Sequence, residues 1–304
     1  MNARIAHGWH ALGMSVIVSF VAAWAVTSAA ADTPGPTVAL HLTQRFGENA
    51  ASCVRSAGGP PLPVVLCSGI LLRTTRRGPG YDAWNPNPSS PTPNGVPFSW
   101  LRQDATFDRL AFGQTNGFVI LPYFYADTPS DGYTQLTVRC VFPFDGATNV
   151  RTGESRDGCG ASTGIAGTGP CQAQGIISAT QWMARFGAGR LYGDQCGFRL
   201  LPGTAGAWEA FQAHWQIRQL LPSRFSTQNE VIVATWAQGD RRIPLEAFFY
   251  LGGDAAGLGE ARANQVDFKA RTGRWVPVIQ LTLPATQTGS ARFVFNTDDQ
   301  GIAQ

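Results

Sequence analysis

Three consecutive pieces decide how this chain is read: CSGILLRTT at 67–75, RRGPGYDAWNPNPSSPTPNG at 76–95 and VPFSWLRQD at 96–104. The first holds a short apolar run, Ile70 to Leu72, read as a buried strand that delivers Arg73 at its end. Prolines at 79, 86, 88, 91, 93 and 97 then exclude a helix or a central strand, because proline lacks the amide N–H that either would need. Two large aromatics, Tyr81 and Trp84, stand among these turn-formers, and the last piece returns as an apolar segment carrying Ser99, Arg102 and Asp104. A strand-end guanidinium, a loop bearing aromatics and a polar trio brought back beside them suit an anionic ligand with a flat ring. An ordered loop whose arginines are solvated is the plainer alternative.

Upstream, Met1 to Ala31 reads as a secretory signal peptide. Arg4 is the basic start, Met14 to Val26 the apolar centre and Ala29-Ala30-Ala31 the cleavage site before Asp32. The protein is therefore expected to be secreted or periplasmic. The apolar centre is short for a membrane span, and no later stretch approaches the roughly 18 uninterrupted apolar residues that one needs. The 304-residue chain less those 31 leaves 273, enough for one large domain or two small ones. Of 23 basic residues only Arg4 goes with the leader, leaving 22 against 20 acidic ones. That near-neutral balance, with no basic block, gives no footprint for nucleic acid. Lys269 is the sole lysine, so almost every cation is a guanidinium suited to bidentate contacts.

All six cysteines, at 53, 67, 140, 159, 171 and 196, follow the leader. An even number in an exported chain implies disulfides. Short loops favour Cys53–Cys67 and Cys159–Cys171, leaving Cys140–Cys196. A bridge also outweighs a nucleophilic role for Cys67. Metal is the weaker reading of the set, since there is no CxxC pair and only His41 and His214 remain beyond the leader.

Farther from the opening stretch, Thr37–Leu42, Asn116–Tyr125 and Tyr133–Phe142 read as strands. Gln172–Phe186 and Ala205–Leu221 read as helices, the second ended by Pro222. Between them Asp145–Cys171 is a long glycine-rich loop. Four more strands are expected at Glu230–Trp236, Leu245–Leu251, Trp275–Leu283 and Ala291–Phe295, with a helix over Asp254–Arg271. The fold class is thus α+β: a disulfide-stapled mixed or antiparallel sheet with a few helices. The β-rich part from 205 to 304 either continues that sheet or forms a unit of its own, with a boundary at Thr204–Gly206.

The motifs are sparse. Gly160-Ala161-Ser162-Thr163-Gly164 fits GxSxG, with Asp194 and His214 downstream, but the strand and helix that must flank a nucleophile elbow are missing. His214 beside Trp215 reads as a structural histidine in an apolar helix. Gln228-Asn229-Glu230 sets an amide and a carboxylate two residues apart where a strand begins, so both side chains share one face. Glu246 lies in an apolar strand, and Asp145 and Arg151 flank the start of the glycine loop.

CSGILLRTT, AWNPNPSS, GVPFSWLRQD, NGFVILPYFY, VRCVFPFD followed by Arg151, and GCG at 158–160 together resemble the halovibrin family. These are secreted bacterial proteins described as ADP-ribosylating or NAD-cleaving enzymes. The resemblance covers roughly Ala51 to Phe186 and continues into the tail. It implies that NAD is the substrate, that no separate cofactor or metal is needed, and that a host or competitor protein is the acceptor if ADP-ribose is transferred. It also implies roles. Arg73 neutralises the diphosphate, Ser99 holds the ribose, and Gln228 and Glu230 supply a late QxE carboxylate. Tyr81, Trp84, Arg102 and Arg151 line the substrate, and Asp104, Asp145 and Glu246 stand in reserve. The chemistry asks for such a set, because breaking the nicotinamide–ribose bond builds positive charge on the ribose that a carboxylate stabilises. Two readings from other classes stand beside it: a secreted carbohydrate- or peptide-binding protein without catalysis, and a serine hydrolase using Ser162.

Overall fold

The central strands bury both of their sides, because apolar side chains occur at odd and even positions alike: Ile70, Leu71 and Leu72 are all buried. The computed structural model describes residues 32–50, 52–53, 62–66, 68–75, 84, 96–120, 137–144, 170–186, 195–199, 205–220, 228–234 and 245–304. Residues 1–31 and most of the proline-rich and glycine-rich loops lie outside them. Residues 32–304 form one compact unit.

Its elements in chain order are α1 (Gly35–Gly47), β1 (Ser52–Cys53), β2 (Leu62–Pro63), β3 (Ile70–Thr74), β4 (Val96–Leu101), β5 (Asn116–Ile120) and β6 (Thr137–Phe142). Then come α2 (Ala179–Phe186), β7 (Phe198–Arg199), α3 (Ala205–Leu220), β8 (Glu230–Ala234), β9 (Leu245–Leu251), α4 (Ala255–Thr272), β10 (Val278–Thr282) and β11 (Arg292–Phe295). Nine strands make one sheet in the order β11-β10-β9-β5-β3-β4-β8-β6-β7, and β1 and β2 pair separately. Among neighbours in the sheet only β9 and β10 are parallel, and α4 is the crossover that a parallel pair requires. The architecture is therefore α+β with a mostly antiparallel sheet.

Alternation along the strands sorts most of the core into two layers, with Cys140, Phe142 and Ile232 as a small third cluster. Leu71, Phe98, Trp100, Phe118, Val231 and Phe248 pack with Trp182 of α2, Phe211 of α3 and Phe268 of α4. Ile70, Leu72, Leu101, Val119, Phe249 and Ile279 pack with Val38, Leu42 and Phe46 of α1 and with Phe107 and Leu110. We call these the three-helix face and the α1 face.

Several expectations are corrected. Thr37–Leu42 is helix rather than strand. Val38, Leu40 and Leu42 recur at the two-residue spacing of one strand face, but Phe46 extends Val38 and Leu42 at helical spacing, and Leu40 is the residue left in solvent. The helix expected over Gln172–Phe186 is a 3₁₀ turn, Cys171–Gln174, then α2. Gly175 separates them with φ 76°, and Ser178 and Gln181 form a capping box that starts α2. Pro97 does sit in a central strand. Its neighbour on the other side is Ile232 of β8, and the β3–β4 ladder stops at Leu72↔Ser99, so no amide is wanted from Pro97 on that side.

The tail is not a separate sheet. β8 inserts between β4 and β6, and β9 pairs with β5, so strands from before and after residue 205 interleave. The described bridge is Cys171–Cys196, which overturns both Cys159–Cys171 and Cys140–Cys196. Cys140 is disulfide-bonded too. Loop length is a weak guide to pairing, because doubling a loop costs only about 0.6 kcal/mol. A specific contact outweighs that: the Gln172 side chain pairs with the Arg199 backbone in both directions and lays the Cys171 turn against β7. Cys53–Cys67 reaches residues outside those described.

Candidate functional site

The middle of the sheet joins the serine to the late amide. Val231 of β8 stands opposite Phe98 of β4, and the same register continued by one residue sets Glu230 beside Ser99. Ser99 Oγ donates to Gln228 Oε1, and Gln228 Nε2 donates to the Arg109 carbonyl at 2.9 Å. Asn229 fixes this start of β8. Its side-chain oxygen accepts from Trp100 N at 2.7 Å, and its side-chain nitrogen donates to Trp100 O at 2.8 Å. An asparagine side chain thus makes the two bonds that a backbone partner would make, and β8 begins in register with β4. Glu230 is 4 % exposed and pairs across to Phe142 of β6. Because Ser99 directs its proton to Gln228, its lone pairs are free to accept a hydroxyl from a bound sugar.

Ser99, Gln228 and Glu230 lie on the α1 side of the sheet: Leu101, two residues from Ser99, belongs to the α1-face core, and Ile232, two residues from Glu230, to a small separate cluster with Cys140 and Phe142 on that side. Arg73 does not join them. It pairs with Phe118 of β5 while Leu72 pairs with Ser99, so the Arg73 side chain leaves the sheet on the three-helix face. Its Nη1 donates to the Pro97 carbonyl at 2.6 Å, where the β3–β4 ladder has stopped, and the residue is 8 % exposed. Arg73 closes a gap between strands.

Arg102 and Trp84 belong to the same side. Arg102 is fully buried, forked onto Asp104 with two 2.8 Å bonds and bonded to Ser68 Oγ at 2.6 Å and to the Ala50 carbonyl. Trp100 and Trp208 lie 5.2 and 5.5 Å from its guanidinium carbon. Trp84 packs edge-on against Phe268 at 5.1 Å, and its ring N–H donates to Asp267 at 2.8 Å. Both side chains are thus packed and hydrogen-bonded within the fold. The reserve carboxylates divide likewise. Glu246 is paired with Arg45 of α1, and Asp104 with Arg102.

No protein-family model matches this chain, and no curated protein matches it.

Two residues that the sequence reading passed over lie on the segment that holds Gln228. Arg109, whose carbonyl caps the Gln228 amide, has a side chain 67 % exposed, and Phe112 is 79 % exposed at φ 56°. Nothing in the spelling DRLAFG distinguishes them from any polar loop. Only the backbone angle and the Gln228 contact do. His214 is fully buried with its ring 4.9 Å from Phe144, in keeping with a structural histidine. Among the described residues no group of three or more metal-ligating side chains occurs, and no helix is long and apolar enough to cross a membrane. Tyr81, Arg151, Asp145, Ser162 and Asp194 lie outside the described residues.

Proposed function

We propose that this protein cleaves the nicotinamide–ribose bond of NAD, as an NAD glycohydrolase or, with a protein acceptor, as an ADP-ribosyltransferase. The observation that carries this reading is the Ser99–Gln228 hydrogen bond on the strand pair that sets Glu230 on the same face. The halovibrin-like segments add to it, since they imply a serine and a QxE carboxylate in one site. In the reaction the C1′–N bond breaks and its electron pair leaves with nicotinamide. Water then attacks C1′ and gives up a proton, yielding ADP-ribose. Glu230 stabilises the developing positive ribose and takes that proton, Ser99 holds a ribose hydroxyl, and Gln228 orients Ser99. Arg73 has no part in this version, because its guanidinium belongs to the opposite face.

The test is to incubate the purified protein with NAD and follow free nicotinamide by chromatography. Release that disappears in Glu230→Gln is the expected result. Intact NAD in the presence of protein shown to be folded, with the Cys171–Cys196 bridge formed, overturns the reading and leaves a carbohydrate- or peptide-binding role.

A further inference from the structure

Phe112 is the one non-glycine residue with positive φ among those described, at 56°, and its neighbour Gly113 follows at 67°. A bulky side chain in the left-handed region is strained, and such strain persists where surrounding structure enforces it. Here the enforcement is visible. Leu110 is 2 % exposed and anchors the loop in the α1-face core, the Arg109 carbonyl is tied to Gln228, and Gln114 N closes onto the Ala111 carbonyl at 3.1 Å. The outcome is an aromatic ring held out in solvent, three residues from a largely exposed arginine side chain, on the loop bonded to the Ser99–Gln228 pair. Burial of the ring does not account for the conformation, since it is 79 % exposed.

We propose that loop 108–113 holds the adenosine-diphosphate half of the substrate, with adenine stacked on Phe112 and a phosphate on Arg109. This rests on the NAD reading given above. A planar base is recognised by a ring face, and a phosphate by a guanidinium, which here exchanges its exposed 3.5 Å contact with Asp108 for the ligand. The same cation argues for which ring of NAD lies here. The nicotinamide ring of NAD is positively charged, and a stacking site beside Arg109 repels it, whereas adenine is neutral and carries its phosphates toward the arginine.

ADP-ribose, AMP and nicotinamide are to be titrated separately into the full chain by calorimetry, with NAD turnover measured in parallel. ADP-ribose and AMP are expected to bind, and Phe112→Ala and Arg109→Ala each to weaken them by about tenfold. Nicotinamide binding should be unmoved. In turnover, KM rises by a similar factor while kcat changes little. Phe112→Gly gives a signature that a packing role would not produce: a melting temperature at or above wild type, because glycine relieves the positive φ, together with weakened ADP-ribose binding. Wild-type ADP-ribose binding that both loop variants leave intact overturns the proposal while NAD cleavage stands. AMP binding through the loop without NAD cleavage keeps the loop and removes the reaction. Absence of ADP-ribose and AMP binding overturns the loop proposal, and intact NAD in the parallel assay overturns the reaction as well.

Discussion

The two faces of the central strands carry opposite kinds of chemistry. On the three-helix face lie Arg73, Trp84 and Arg102, the cations and the ring that the sequence offered as substrate contacts, and all three are buried. On the α1 face lie Ser99, Gln228 and Glu230, a hydroxyl, an amide and a carboxylate joined across β4 and β8. The division follows from a single pairing. With Leu72 opposite Ser99, Arg73 must leave on the other side, and a slip of one residue would have reversed it. Residues adjacent in an argument about sequence are thus separated by the thickness of a sheet. A guanidinium is a poor guide to a binding site when its donors already have partners in the fold.

The comparison breaks most severely at Arg102. If that side chain is structural, Arg102→Ala strands Asp104 and Ser68 and costs about 3–5 kcal/mol in urea unfolding, the scale for removing one partner of a buried pair. A stable variant with lowered substrate affinity would return Arg102 to the site.

A smaller effect is expected at the other end of the same face. Arg73→Ala should lower stability by about 1.5–3 kcal/mol through the lost Pro97 contact, since a hydrogen bond from a charged group has that value. Ser99→Ala should cost about 0.5–1.5 kcal/mol, as loss of a neutral hydrogen bond, while lowering NAD turnover by roughly tenfold. The two variants therefore part in which quantity moves.

How much of this was legible depends on whether a signal was local. Strands at 70–74, 116–120, 230–234 and 245–251 and helices at 205–220 and 255–272 follow from short apolar runs, Asp254 as N-cap and Gly273 as the left-handed stop, whereas Pro97 hid the strand at 96–101. Pairing was not legible, and pairing decides the site. That Gln228 meets Ser99, 129 residues earlier, depends on β8 inserting between β4 and β6 with Asn229 as its clamp. The Cys171–Cys196 bridge is another such case, since it depends on Gln172 meeting Arg199. Arg109 and Phe112 were invisible for a different reason: exposure and a positive φ leave no compositional trace.

The smallest expected effect concerns the far end of the sheet and serves as a control. Tyr250 of β9 donates to Asp299 Oδ2 at 2.7 Å, and burial, then that hydrogen bond, then the charge of Asp299 push its phenol up to about 12. The folded state therefore holds its proton where the unfolded chain, with a phenol near 10, has lost it. The contribution is intact below about pH 10 and is lost as pH rises from there toward about 12. Thermal melts across that window should fall in wild type and flatten in Tyr250→Phe, with NAD turnover at neutral pH unchanged. An equal alkaline fall in both would assign it elsewhere.

The central claim is that the α1 face, and not the arginine face, does the chemistry. Nicotinamide release from NAD, measured per folded molecule for Glu230→Gln and Arg73→Ala side by side, tests it most directly. The account predicts a loss of about a hundredfold or more in Glu230→Gln and a change within about twofold in Arg73→Ala. Full turnover in Glu230→Gln with collapse in folded Arg73→Ala would contradict it.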